Sequence, residues 1–181
     1  MLMKRVFLAS LLCWSVGFFY GGFNFQGIPI NNITETAAKN KSAYGISDDW
    51  IQNSYLIAKN NLTGILFLVL GGLLCGIPTI SMLAWDGYLF ANNLLQAIYV
   101  KKSVWHGVRY FIPHSIEFVG IWCAGACGLR IAFLLIKYLS NDVVPAQREA
   151  SELLKYLLLS TFVIVLASAL EAGVSLEMIK P

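Results

Sequence analysis

Long apolar runs separated by short polar segments are the main pattern of this chain. The runs cover residues of about 5–23, 62–84, 111–138 and 153–176. An α-helix needs about 20 apolar residues to cross roughly 30 Å of hydrocarbon, and each run is close to that length or longer. The pattern therefore predicts an all-α fold, a polytopic transmembrane helical bundle with four full spans.

The segment "DGYLFANNLLQAIYV", residues 86–100, is a weaker candidate for the membrane. It has the period of a helix, but it contains Asp86 and three amide side chains, and its 15 residues are few for a full span. We therefore expect a short or re-entrant membrane helix here. With this helix, the chain is expected to form one integral membrane domain, residues 1–181, with a polar extracytoplasmic loop over about 24–60.

Within this polar loop, one stretch has the features of a helix start. Ser47 is suited to an N-cap position. Asp48 and Asp49 follow it, where negative charge is favourable beside the positive end of a helix. We expect a short helix from Asp48 to Lys59.

The N-terminal run has two interpretations, a cleaved signal peptide or a first transmembrane helix. Its apolar part from Val6 to Phe23 is longer than a typical signal-peptide core, and no A-x-A cleavage pattern follows it, which favours an uncleaved span. Small residues recur every four positions on one face of this helix; they are Ala9, Cys13, Gly17 and Gly21. Such a stripe allows a second helix to approach closely. Gly72 and Gly76 repeat the spacing in the second run.

Composition also indicates a membrane protein. Apolar residues make up 57% and charged residues 13% of the chain, whereas soluble domains have about 45–50% and about 25%. The net charge of +3 is too small and too scattered to indicate nucleic acid binding. The four cysteines all lie within apolar runs, so we expect reduced thiols that pack as small apolar residues.

The distribution of basic residues leaves two topologies open. With four spans, the basic residues of both termini and of one loop share a side: Lys4, Arg5, Lys101, Lys102, Arg109 and Lys180. The positive-inside rule then favours cytoplasmic termini. With residues 86–100 as a fifth crossing, the basic loop moves to the outside, so charge alone slightly favours four spans and leaves five open.

Several polar and glycine positions follow one another in a characteristic order. An Asn-Asn pair precedes a glycine-rich run, then come an Asp-Gly pair, a Pro-His pair with a glutamate three residues after the histidine, a small-residue span and a terminal Glu-Ala. The residues concerned are Asn60, Asn61, Gly64, Gly72, Asp86, Gly87, Pro113, His114, Glu117, Gly120, Gly125, Gly128, Glu171 and Ala172. This order, over residues 60–181, resembles the stage II sporulation protein M family of bacterial and archaeal membrane proteins. Asp86 stands where the family usually has Asn, and Ser115 where it usually has Gly.

The resemblance implies about five hydrophobic segments and a multi-pass protein of the prokaryotic cytoplasmic membrane. The family's namesake works with a membrane-bound peptidoglycan-cleaving complex, and other members resemble partners of ABC-type transporters. This implies a scaffold or permease-like subunit of a cell-envelope or ABC-type export complex, rather than an enzyme. Expected partners are membrane lipids and other membrane subunits, such as an ABC-type ATPase or a peptidoglycan-remodelling complex, and a homo-oligomer is also open. We expect no cofactor and no nucleic acid.

His114 and Glu117 are the first candidates for a site. Their spacing of three residues places both on one face of a helix, and Pro113 suits the first turn of that helix. Glu171 lies near the end of another apolar run, so the three side chains meet if those two helix ends are adjacent. The cluster has three interpretations: a polar clasp between helices, a binding site for a partner, peptide or ion, or a catalytic group with glutamate as general base. The zinc-hydrolase string H-E-x-x-H is absent, and metal binding stays open.

Asn60, Asn61 and Asp86 complete the set of candidate binding residues, and no residue is assigned as catalytic. One alternative function is an intramembrane enzyme, a hydrolase or peptide-processing factor that uses the His/Glu cluster. A second alternative is a small ion-coupled transporter, with the same acids as its ion path.

Arg130 is a further ionisable residue within an apolar run. It lies 13 residues after Glu117, about 20 Å along an ideal helix, so the two do not pair within that helix. We expect Arg130 to pair with Asp86 across helices, to have a local partner of its own, or to extend its guanidinium to the membrane interface.

Overall fold

The computed structural model describes residues 2–27, 49–141 and 146–179, and every regular element within these ranges is helical. Within these ranges the α-helices are α1 Leu2–Phe23, α2 Trp50–Leu70, α3 Ile77–Lys101, α4 Val104–Leu139 and α5 Ala146–Ile179. Among the described residues, four helical segments are long and apolar enough to cross a membrane: α1, α2 with the short turn after it, α4 and α5. The all-α class and the four spans are therefore confirmed.

The start of α2 differs from the expected short helix. Asp49 occupies the N-cap position, where its side chain accepts a hydrogen bond of 2.9 Å from the backbone N–H of Ile51. Ser47, the expected cap, lies outside the described residues. The helix does not end at Lys59 but runs unbroken to Leu70, because no proline and only one glycine interrupts its good helix formers.

The second run, expected as one span over 62–84, is broken in its middle. A 3-10 turn, Gly71–Leu74, follows α2, and Cys75 and Gly76 then adopt left-handed conformations with φ of 54° and 78°. Gly76 meets this requirement without a Cβ penalty. Pro78 lies in the first turn of α3, where its missing N–H costs little. The boundary expected near residue 85 therefore lies here, and α3 has 25 residues instead of 15.

Two other helices begin earlier than the apolar runs that revealed them. α4 begins at Val104, after Ser103 in extended conformation, and α5 begins at Ala146. Pro113 is therefore inside α4, and the prediction that it occupies the first turn is wrong. Hydropathy marks only the part of a helix suited to hydrocarbon, whereas backbone hydrogen bonding continues into polar residues.

Glycines bring α1 and α3 into direct backbone contact. A Cβ at Gly17 would overlap the backbone of Ala84, and a Cβ at Gly87 would overlap the backbone of Trp14. Gly21 faces the Tyr88 carbonyl in the same interface. The small-residue stripe predicted for the first helix therefore includes two positions at a helix–helix contact.

The core is aromatic at its centre and aliphatic around it, and α4 lies in the middle of the bundle. The most apolar window of α4 is 56% buried, against 22% for each of the other three spans. The buried core cluster contains Trp14, Ile65, Leu68, Leu83, Phe90, Phe118, Ile121, Ala124 and Ile164. Large apolar side chains of α1, α2 and α5 point outwards, as lipid-facing residues do.

The bundle has two distinct ends. At one end, the indole Nε1 of Trp50 donates to the carbonyl of Ala169 at 3.1 Å, which joins the start of α2 to the end of α5. The early part of α4 with His114 lies at this end, here called the His114 end. The other end contains the start of α1, the break between α2 and α3, and Arg130; it is called the Arg130 end.

Candidate functional site

The structure brings His114, Glu117 and Glu171 together at the His114 end. The imidazole Nδ1 of His114 lies 3.0 Å from Oε2 of Glu117, one turn further along α4. The imidazole Nε2 lies 3.9 Å from Oε1 of Glu171, on α5. All three side chains are largely buried, with exposed fractions between 12% and 25%. The polar groups of two helices thus meet in one cluster, as the sequence hypothesis required.

A cavity of about 580 Å³ opens beside this cluster, between α2, α4 and α5. Its polar lining consists of Asn53, Lys59, Asn60, Asn61, Thr63, His114, Glu117 and Glu171. Asn53 is buried and was not singled out from the sequence. Asn53 lies seven residues before Asn60, which is two helical turns, so the two share a face of α2. The sequence alone did not show this, because it did not establish that α2 is continuous over both residues.

A smaller cavity of about 150 Å³ adjoins the first. The two cavities share Asn60, Asn61 and Glu117, and the smaller one reaches Asp86. Oδ2 of Asp86 accepts a hydrogen bond of 2.7 Å from the indole Nε1 of Trp14. All six candidate binding residues therefore line two adjoining cavities.

The hydrogen bond from Trp14 to Asp86 is expected to stabilise the protein measurably. In Trp14→Phe an aromatic ring remains for the contacts with Phe118 and Phe18, but the buried carboxylate loses its indole donor. Such a loss costs about 1–3 kcal/mol, which thermal unfolding in detergent measures as a lower melting temperature. Trp85→Phe is the control because Trp85 is 60% exposed. Equal melting temperatures for the two variants would contradict this role.

Arg130 does not belong to the site; of the expectations for it, the separate local partner is confirmed, and the other two are wrong. Its side chain is buried and neither pairs with Asp86 nor extends to the surface. The guanidinium Nε donates to Oε2 of Glu149 at 2.8 Å, and the group lies 5.2 Å from the ring centroid of Phe133. The chain turns from α4 into α5 at this end, which places Glu149 opposite Arg130. Asp86 instead accepts the hydrogen bond from Trp14, and this pair lies nearer the His114 end than Arg130 does.

The buried cysteines serve packing. Cys123 and Cys127 are both buried in α4, and all four cysteines are free thiols. The thiol of Cys127 donates to the carbonyl of Leu153 at 3.6 Å. These contacts are the ones expected of small apolar residues between helices.

Together, the fold and the cavities define a class of protein: a multi-pass helical membrane protein with a cavity between three of its helices that is lined in part by ionisable side chains. The family model of Stage II sporulation protein M matches residues 7–176, which is most of the chain. The chain therefore belongs to the Stage II sporulation protein M family, and the resemblance seen in the sequence is confirmed. No curated protein and no solved structure matches the chain.

Proposed function

We propose that this chain is a permease-like subunit of a membrane complex in the prokaryotic cell envelope, and that its two cavities bind the ligand of that complex. The observation that supports the proposal is the cavity of about 580 Å³, where His114, Glu117 and Glu171 meet between helices that are otherwise apolar. Cavities of roughly 300–1,000 Å³ are typical of ligand sites. A scaffold that only holds partners together needs no such space.

The ionisable residues of the cavity support the same proposal. Glu117 and Glu171 lie in apolar helices, and Asp86 lies deeper, beside Glu117. Intramembrane carboxylates are expensive and mark substrate or ion pathways in membrane proteins. The two cavities in series, the outer at the His114 end and the inner at Asp86, give a ligand a path towards the centre of the bundle.

The energy source of such a subunit would come from a partner. We expect an ABC-type ATPase, with a peptidoglycan-remodelling complex as the other candidate. The outward apolar faces of α1, α2 and α5 leave room for lipid and for a membrane-embedded partner.

The test is co-purification of the full chain from its native membranes in mild detergent, followed by ATP hydrolysis in nanodiscs. Glu117→Gln keeps the shape of the side chain and removes its charge. We expect the complex to remain intact while its rate of ATP hydrolysis falls at least about tenfold, the equivalent of roughly 1.4 kcal/mol. Glu152→Gln is the matched control, since Glu152 is a surface acid of α5 paired with Lys155.

Two results would count against the proposal. A complex that stays intact with full ATP hydrolysis in Glu117→Gln would indicate a scaffold whose cavity has no part in the activity of the complex. A chain that purifies without any ATPase would contradict the permease-like role.

An intramembrane hydrolase is the second candidate, and one observation favours it. The imidazole and the carboxylate of His114 and Glu117 are within hydrogen-bond distance of each other at the wall of a cavity. A carboxylate held in this way can act as a general base towards a water in the cavity. Cleavage of a labelled peptide by the purified chain without a partner, lost in Glu117→Gln, would support the hydrolase over the permease-like subunit.

A further inference from the structure

The carboxylates of the His114 cluster need positive charge close by. Glu117 and Glu171 both lie within a span, and charges placed there are usually compensated by a counter-charge. A protonated His114 between two carboxylates would leave one negative charge uncompensated. Lys59 lines the same cavity, but its side chain is exposed and forms no ion pair among the described residues. A divalent cation with neutral His114 would balance the two carboxylates.

The distances in the cluster suit such an ion. The separation of 3.9 Å between His114 Nε2 and Glu171 Oε1 is too long for a hydrogen bond. A metal ion with bonds of about 2.0–2.2 Å to both atoms would hold them roughly 3–4 Å apart, depending on the angle. One ligand atom from each of His114, Glu117 and Glu171 lies within 4.8 Å of the other two. The ion would be held directly by His114 Nε2 and Glu171, while Glu117 remains on the other ring nitrogen.

The hydrogen bond between His114 and Glu117 orients the imidazole for metal binding. A metal-binding imidazole commonly donates its other ring N–H to a carboxylate, which fixes the tautomer and the ring orientation. In the structure, Nδ1 of His114 lies 3.0 Å from Oε2 of Glu117. With the proton on Nδ1, the lone pair of Nε2 is directed towards Glu171.

We propose that His114 and Glu171 bind a divalent transition-metal ion, with Glu117 as the hydrogen-bond partner that orients the imidazole. A histidine nitrogen beside a carboxylate oxygen suits Zn²⁺, Mn²⁺ or Fe²⁺ better than Mg²⁺ or Ca²⁺, which prefer oxygen ligands alone. Two protein ligands leave coordination positions open, and the cavity lies beside them. A ligand in the cavity would then be held by coordination of its oxygen or nitrogen atoms to the ion.

This inference goes beyond the proposed function, because a bound ion is compatible with a permease-like subunit and with a hydrolase. Its test therefore uses metal binding by the isolated full chain and does not depend on any partner. The purified protein in detergent is stripped with a chelator, dialysed and titrated with Zn²⁺ and with Mn²⁺ by calorimetry. The retained metal is then counted by mass spectrometry. The reference protein and all variants carry Cys75→Ser, because an exposed thiol is itself a suitable Zn²⁺ ligand and would add to the measured binding.

We expect one ion per chain in the reference protein. His114→Ala and Glu171→Gln should each weaken binding at least about tenfold, because each removes one of the two protein ligands. Glu152→Gln, at a surface position of α5, should bind like the reference. Size-exclusion elution and circular dichroism establish that each variant is folded.

Three results would overturn the proposal. A folded reference protein that binds no ion would leave the cluster as a hydrogen-bonded clasp. A folded His114→Ala variant that binds as tightly as the reference would place the ion elsewhere. If His114→Ala does not fold, Glu171→Gln decides the question, and unchanged affinity in that variant would also overturn the site.

Discussion

Gly17→Ala is expected to destabilise the protein by about 3 kcal/mol, although alanine is the better helix former. The added Cβ would overlap the backbone of Ala84 on α3. A backbone atom within a helix cannot move aside as the end of a flexible side chain can, so α1 and α3 must separate. Overpacking of this kind costs about 1–3 kcal/mol, and the backbone contact favours the upper part of that range. Thermal unfolding in detergent measures the loss as a lower melting temperature.

The matched control is Gly22→Ala, on the same helix. A Cβ at Gly22 meets nothing within 4 Å, and alanine favours a helix over glycine by about 1 kcal/mol. The control should therefore melt at the same or a slightly higher temperature than the reference. A Gly17→Ala variant that behaves like Gly22→Ala would show that α1 does not approach α3 through this glycine.

Glu149→Gln is expected to have the other large effect, at the Arg130 end. Arg130 is only 3% exposed, and its Nη1 has no hydrogen-bond partner among the described residues. Glu149 supplies the negative charge that compensates the guanidinium. Removing one partner of a buried ion pair costs about 3–5 kcal/mol, because the other charge stays buried without compensation. Thermal unfolding in detergent again measures the change.

Two companion variants separate this buried pair from an ordinary surface pair. Glu152→Gln breaks the exposed pair with Lys155 and should leave the melting temperature unchanged. Adding Arg130→Met to Glu149→Gln removes the uncompensated charge and should recover most of the lost stability. A double variant that is no more stable than Glu149→Gln alone would contradict the buried-charge explanation.

At the level of the fold, periodicity and hydropathy revealed where helices exist but not where they begin and end. The apolar run over 62–84 looks like one span, yet the chain breaks at Gly71–Leu74. Its break depends on the left-handed conformations of Cys75 and Gly76, and on the hydrogen bond from Thr79 to the carbonyl of Leu68 at 2.8 Å. A hydropathy window averages over such a local reversal and cannot detect it.

At the level of the site, spacing was informative within one helix and silent between helices. His114 and Glu117 were paired from their spacing of three residues, and the structure places them 3.0 Å apart. Glu149 as the partner of Arg130, and Trp14 as the donor to Asp86, were missed. These partners lie 19 and 72 residues away along the chain, and no local pattern connects them.

By itself, the sequence determined the class of the protein, an all-α membrane bundle of the Stage II sporulation protein M family. It also identified the polar residues that are candidates for the binding site. These properties follow from local quantities, since hydropathy and residue order are read directly from the chain. Only the tertiary structure decided that Glu171 meets His114, that Asn60 and Asn61 join two cavities, and that Arg130 has its own partner elsewhere. Those contacts depend on how helices distant in sequence are aligned, and that alignment is set by glycine contacts between backbones and by the break after α2.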